Sequence, residues 1–382
     1  MHRAPLILII DEHDKKREKT MLIARAPMRI SFGGGGTDLE AYYAKYGGLV
    51  ISTAINKYFY AIITTEDADD LQVISADYRS LFRHSPYNDL FWNGDLALPK
   101  AILHHFGIRR GINLFVASEV PPGTGLGSSS AAAVTMVRAI STLLEQPMTK
   151  QQVAELASSI EISKMGMPIG KQDQYAAAFG GLNKITFSSQ GVTVEPLKIA
   201  RDVLQTLENR LMLFFTGSSR ESTSILKHQR KSTEDRDDAV LQALHHIKQV
   251  AVDVQACLER GDLDEFARLL HYSWQEKRRL APNLSTSFID ECYSLALEHG
   301  ATAGKITGAG GGGFLLLYCP EGRQNPVTEA LEKRGLKRMN FRFDHSGAKV
   351  LLNVANFNNL WVEPYADPRE SPGALISIAR EG

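Results

Sequence analysis

Pro121-Pro122-Gly123-Thr124-Gly125-Leu126-Gly127-Ser128-Ser129-Ser130, running into Ala131-Ala132-Ala133-Val134, reads as a glycine loop that empties into the start of a helix. The first turn of a helix gathers backbone N–H groups that have no partner within the helix, and it carries roughly half a positive charge. Such a start is a seat for phosphate. A strand-like segment, Ile112–Val116, precedes it, as a phosphate site of this kind requires. The loop holds no lysine, which excludes a Walker A P-loop. One serine suffices as an N-cap. Three exceed that need, and a hydroxyl here can bind Mg2+ beside a phosphate.

The 382 residues suggest two or three domains. Lys plus Arg and Asp plus Glu both number 43, so the formal charge is zero. A neutral chain lacks the basic surface of a nonspecific nucleic-acid binder. Cys257, Cys292 and Cys319 are widely spaced and form no metal pattern, which fits a reduced, cytoplasmic setting. No apolar run is long enough to span a bilayer.

Working outward from the loop, 21–120 is strand-rich. Val50–Ile55 and Tyr58–Ile63 read as two paired strands. Residues 150–164 read as a helix capped by Thr149, with another helix from Lys171 and a hairpin over 182–198. Leu211–Phe215 reads as a buried strand. Long helical patterns cover about 222–232, 236–260, 262–280 and 286–299, and strand signals return at 312–318 and 338–353. Strands then helices, followed by helices mixed with strands, indicate an α+β fold. The expected organisation is an extension at 1–20 outside the fold, a first domain over 21–205, a second over 206–362, and a loosely ordered tail at 363–382.

Three glycine clusters stand out: Gly33–Gly36 before Thr37-Asp38, the loop at 123–127, and Gly308–Gly313. One cluster alone reads as a tight turn; three flanked by regular elements point to a shared ligand site. Glu161 and Asp173 bracket a helix–loop–helix break at Gly166-Met167-Pro168-Ile169-Gly170. Asp173 in a first turn is a complement to the helix dipole, a general base or a metal ligand, and spacing does not choose among these. Arg29 leads into the first cluster, where it can neutralise a phosphate or hold an acid in its charged form. Arg25, Lys171, Arg220 and Lys305 are further candidates for anion contacts.

Together, Ala26–Asp38, Pro121–Ala132 and Lys305–Gly313 resemble the three motifs of the GHMP kinase superfamily, over about residues 21–355. Within it, Gly33–Asp38, Gly170–Ala177, Phe214–Glu221 and the third motif look most like heptose 7-phosphate kinases. The Gly-Glu-His of true galactokinases is missing from the first motif. The resemblance implies a first domain like ribosomal protein S5 domain 2 and a ferredoxin-like second domain, with ATP between them. It implies ATP contacts at Pro122, Gly123, Thr124, Gly125, Leu126, Gly127, Ser128, Ser129 and Ser130, and Mg2+ ligation by Ser129 and Glu161. Asp173 becomes the catalytic base, with Arg29 as its basic partner. Gly35, Gly36, Thr37, Asp38, Lys171, Arg220, Lys305, Gly310 and Gly311 fall to the acceptor, a sugar phosphate. The expected activity is phosphoryl transfer from ATP to a hydroxyl of that sugar by a cytoplasmic monomer or homodimer. Fucose, galactose and mevalonate-type kinases, and a silent sugar and ATP sensor on the same fold, stay open as alternatives.

Overall fold

β1 (Met21–Gly33) and β2 (Gly48–Thr65) pair antiparallel along most of their length and form the spine of the molecule. The computed structural model describes residues 21–65, 70–84, 94–109, 111–217, 223–235, 237–278, 284–308 and 310–354. The expected extension at 1–20, the tail at 363–382 and Arg220 lie outside the described residues.

β2 corrects the expectation of two paired strands. Val50–Ile55 and Tyr58–Ile63 are one continuous strand, and the residues between them form a bulge. The register jumps there because Met28 pairs with Ile55 while Pro27 pairs with Tyr58, leaving Asn56 and Lys57 extra. Proline has no N–H for the ladder, so a bulge opposite Pro27 leaves no bond broken. Asn56 finds its partners elsewhere. Its N–H donates to the Arg342 carbonyl at 2.8 Å, and its Oδ1 accepts from the Arg342 N–H at 2.7 Å.

The length of β2 lets it serve several partners. Its first half pairs with β6 (Leu182–Ser188), which continues into β7 (Gly191–Pro196). Its second half pairs with β5 (Ile112–Ser118), beyond which lie β3 (Leu71–Ser75) and β4 (Ser80–His84). Helices α1 (Glu40–Tyr46), α2 (Ala97–His105), α3 (Ser128–Leu143), α4 (Lys150–Ser158) and α5 (Gln172–Phe179) accompany this sheet. α3 packs on β1 and β2, with α5 beside it. Small residues make the approach close: Ala131, Ala132 and Ala133 are all buried.

α6 (Arg201–Arg210) leads into a second sheet of β8 (Leu211–Phe215), β9 (Ala303–Ile306), β10 (Phe314–Tyr318) and β11 (Lys337–Met339), in the order β11-β8-β10-β9, all antiparallel. Helices α7 (Thr223–Glu234), α8 (Asp238–Arg260), α9 (Leu263–Arg278) and α10 (Ser287–Glu298) stand between β8 and β9, and α11 (Gln324–Lys333) stands between β10 and β11. A strand–helix–strand–strand–helix–strand run with spatial order 4-1-3-2 is the ferredoxin-like plan. Both faces of this sheet are covered, and residue parity decides which core each side chain joins. Leu211, Leu213, Phe314 and Leu316 enter the main core, which is shared with the first sheet. Met212, Phe214, Leu315 and Leu317 enter a second core with Trp274, Cys292 and Val327.

Two details differ from the expected division at 205/206. That point lies inside α6, which is unbroken. β12 (Lys349–Val354) crosses back to pair antiparallel with β1, so the first sheet is closed by residues from the far end of the described chain. Unpaired, the β1 edge would present a row of free backbone groups; β12 satisfies them.

Candidate active site

The site lies where the three glycine clusters meet. Gly125 and Gly308 carry φ of 81° and 67°, a left-handed conformation that glycine adopts freely. Each also sits where no side chain fits. A Cβ on Gly125 would lie 2.4 Å from the Thr307 carbonyl oxygen, and one on Gly308 would lie 2.3 Å from the Gly125 Cα. The second and third clusters are therefore locked backbone to backbone, and the Thr307 hydroxyl donates to the Thr124 carbonyl at 3.2 Å. The Arg29 N–H donates to the Leu126 carbonyl at 3.0 Å and ties the loop to β1.

The loop delivers α3 with Gly127 at the N-cap position, at φ 77°. This corrects the reading of a serine as cap: Ser128, Ser129 and Ser130 are the first three helical residues, and none of their hydroxyls is spent on capping. All three line the pocket, together with Gly123, Gly125 and Gly127. Their backbone N–H groups form the helix start that favours an anion.

Arg29 and Asp173 face this helix start. Arg29 Nε donates to Asp173 Oδ1 and Nη2 to Oδ2, each at 2.8 Å, while Nη1 donates to the Gly125 carbonyl at 2.6 Å. The fork-to-fork pair is strong and fixes both planes. Arg29 is 4% exposed, whereas Asp173 remains 23% exposed and open to the pocket. Gly127 sets the approach, since a Cβ there would come within 3.0 Å of the Asp173 carboxylate.

Glu161 lies one layer behind. The chain widens into a π-turn over Ser159–Lys164, a departure that often marks functional sites. The turn buries the Glu161 carboxylate, which accepts from Ser129 Oγ at 2.9 Å and from Gln174 Nε2 at 2.6 Å. Burial pushes its pKa up to about 7, and the Gln174 and Ser129 bonds work against that rise. A carboxylate and a hydroxyl side by side are the hard oxygen donors that Mg2+ takes, with phosphates and water completing its shell. Among the described residues no group of three or more His, Cys, Asp or Glu gathers, so the protein offers this pair rather than a full cage.

Asp38 lines the same pocket, with Gly35 and Gly36. Its Oδ1 accepts from the Gly36 N–H at 2.9 Å and its Oδ2 from the Gln172 N–H at 3.1 Å. Burial raises its pKa, opposed by the Gln172 bond.

Two models of known families match the chain: one described as the GHMP kinases N terminal domain over residues 96–181, the other as GHMP kinases C terminal over 254–337. A D-glycero-alpha-D-manno-heptose 7-phosphate kinase from Campylobacter jejuni is 32% identical over 331 residues, covering 85% of this chain and 97% of that protein. The chain belongs to the GHMP kinase family. A crystal structure of a D-glycero-D-manno-heptose 1-phosphate kinase from Bacteroides thetaiotaomicron has 29% identity and a TM-score of 0.72, covering 87% of this chain and 99% of that one. A putative sugar kinase from Campylobacter jejuni has 30% identity and a TM-score of 0.71, covering 87% and 98%. The two-domain α+β architecture expected from the motifs is that of the GHMP kinases, which are phosphotransferases acting on a hydroxyl group.

Several residues that the GHMP motifs put forward lie elsewhere. Thr37 is fully buried, and its hydroxyl donates to the Gly34 carbonyl at 2.8 Å while accepting from the Leu49 N–H at 3.1 Å. It ties the first cluster to β2 and does not line the pocket. Thr124 and Leu126 are likewise buried, and the Thr124 hydroxyl donates to the Pro121 carbonyl at 2.9 Å within the loop. Pro122 lines a neighbouring apolar hollow with Phe59, Tyr78, Val116 and Met136, which meets the main pocket at Gly123, Ser128 and Ser129. Lys171 directs its ammonium over the Tyr43 ring at 5.2 Å, a cation–π contact. Gly310 lines the pocket, while the Gly311 N–H donates to the Leu284 carbonyl at 2.8 Å. Lys305 is buried and donates to the Ser31 carbonyl at 2.9 Å.

Three lining residues had no part in the motif reading: Leu39, Lys277 of α9 and Gln229 of α7. Lys277 was discoverable. It falls on the helical stripe of Leu270 and Trp274, both buried, so a charge there breaks an apolar face.

Proposed function

We propose that this GHMP kinase transfers the γ-phosphoryl group of ATP to the anomeric hydroxyl of a sugar phosphate, with D-glycero-D-manno-heptose 7-phosphate as acceptor and the 1,7-bisphosphate as product. The observation that carries this reading is the convergence of a carboxylate held by arginine, Asp173–Arg29, on an uncapped helix start. The names of the relatives support the heptose.

The site fits MgATP. The Gly123–Gly127 loop and the first turn of α3 offer backbone donors to its phosphates. Ser129 and Glu161 would hold Mg2+. The apolar hollow of Phe59, Val116 and Met136 adjoins the phosphate seat and suits the nucleoside. When bound, MgATP supplies the transferable phosphoryl group and a metal charge that neutralises its oxygens.

The chain's own residues then have three tasks. Asp173 accepts the proton of the attacking hydroxyl at a carboxylate oxygen. Arg29 holds that carboxylate in place by its two parallel bonds and is itself fixed by the Gly125 carbonyl. Asp38, anchored by two backbone N–H groups, receives hydroxyls of the sugar. An anomeric hydroxyl is more acidic than an ordinary alcohol, so a carboxylate is a sufficient base.

The test is ADP release over a panel of sugar 7-, 6- and 1-phosphates, free fucose, galactose and mevalonate. Turnover greatest with the heptose 7-phosphate is expected. A preference for any unphosphorylated member rejects the sugar phosphate. ATP and sugar binding with no turnover for any member gives the sensor reading instead.

A further inference from the structure

Lys277 and Gln229 meet at the corner of the pocket between α7, α9 and the first glycine cluster. Both end in donors that lack an acceptor of matching charge. Gln229 is 5% exposed, and its Nε2 has no hydrogen-bond partner among the described residues. The Lys277 ammonium donates to the Gly308 carbonyl and, among the described residues, forms no ion pair with a carboxylate. Asp38, whose oxygens accept from the Gly36 and Gln172 N–H groups, and Asp173 act on that ammonium only at longer range.

Behind Lys277 lies a small cavity that it shares with Lys305, Ser31, Gln172 and Ser273. Lys305 is 4% exposed and also forms no ion pair among the described residues. Ser31 Oγ and Gln172 Oε1 are buried without hydrogen-bond partners among the described residues. The half-buried Lys277 and the buried Lys305 thus face one polar cavity, and neither forms an ion pair among the described residues. Burial of unpaired charge is costly, and each lysine's charge raises the cost for the other. The consequence is visible in both: burial and the Arg29 charge lower Lys277 to about 8 against the pull of Asp38 and Asp173, and burial with the Lys277 and Arg29 charges lowers Lys305 well below its ordinary value. A ligand bearing two negative charges and several acceptor oxygens answers the donors of Lys277 and Gln229 and the charge of Lys305.

We infer that Lys277 and Gln229 hold the acceptor's own phosphate, with Lys305 behind them as a second positive charge. The inference rests on the sugar-phosphate reading above and adds the residues that impose it. It replaces Lys171, whose ammonium is engaged with Tyr43. The arrangement also sorts acceptors, because a free sugar brings no anion to the two lysines and no acceptor oxygens of a phosphate to the Gln229 amide.

The experiment compares D-glycero-D-manno-heptose 7-phosphate with the same heptose lacking the phosphate, using the full chain with MgATP. The wild type favours the phosphorylated acceptor in kcat/KM. In Lys277→Met that preference falls about 100-fold and in Gln229→Leu about tenfold, the range for losing a charged and a neutral hydrogen bond, with KM moving more than kcat. Melting curves and ATP binding of both variants check that each is folded, and Gln229→Leu stands independently if Lys277→Met is not. An equal loss on both acceptors, or an unchanged preference, overturns the assignment while leaving the sugar-phosphate reading intact. A wild type that favours the free heptose overturns the reading itself and is seen before any variant is made.

Discussion

The two walls of the pocket are built on opposite principles. On the wall made by β1, α3 and α5, every charged group is already paired: Arg29 with Asp173 and the Gly125 carbonyl, Glu161 with Ser129 and Gln174. On the wall made by α7, α9 and β9, the Gln229 amide has no partner and the Lys277 ammonium, on the Gly308 carbonyl, has no ion pair among the described residues. The first wall holds the reacting groups in fixed geometry before any ligand arrives, which is where positioning contributes most to phosphoryl transfer. The second stores an electrostatic demand that the correct acceptor relieves, which is a way to obtain specificity.

The sharpest way to break this contrast is Asp173→Asn. It keeps the shape of the paired wall while removing the base, and turnover should fall by about a thousandfold or more with ATP affinity retained. Near-normal turnover would show that the paired wall does not do the chemistry. Gly127→Ala tests the same wall by geometry. Its Cβ meets the Asp173 carboxylate at 3.0 Å in a left-handed backbone, so kcat should drop about 10- to 100-fold, with a stability loss of about 1–3 kcal/mol. A variant with kcat unchanged would mean that the approach of Asp173 to the loop is not critical.

A pH profile sharpens the other wall. Lys277 lies near 8, so its ammonium is present below that value and lost above it. For the phosphorylated acceptor, kcat/KM should therefore fall as pH rises through about 8, since that parameter reports the free enzyme. Lys277→Met should flatten that limb. The smallest effect belongs to Thr37→Val, which touches neither wall. It loses the bonds to Gly34 and Leu49, so denaturant unfolding should show about 1–3 kcal/mol less stability with turnover nearly unchanged.

The same division explains what was legible in the sequence. The paired wall is local. Its loop, its helix start and Asp173 each lie in short runs whose glycines and serines have no plain structural use, and Arg29 sits next to a glycine cluster. The four long helices of the second half were also readable, because each keeps an apolar stripe. The unpaired wall is assembled from α7, α9 and β9, which are far apart in the chain, and its one local mark is the break that Lys277 makes in the apolar stripe of α9. Glu276-Lys277-Arg278 looks like solvated charge until Trp274 is seen to be buried. The return of β12 to β1 was hidden for the same reason, as pairing partners 330 residues apart leave no mark on either segment. Asn56-Lys57 misled in the opposite sense: polar residues between apolar runs suggest a turn, whereas Pro27 opposite them makes a bulge.

The central claim is that both walls act on one molecule, a sugar that already carries a phosphate. Phosphorus NMR of the full chain with MgATP and D-glycero-D-manno-heptose 7-phosphate tests it most directly. The account predicts a new anomeric phosphate signal that grows with ADP while the 7-phosphate signal persists. ADP formed with only inorganic phosphate, or a new signal at any other position of the sugar, contradicts it.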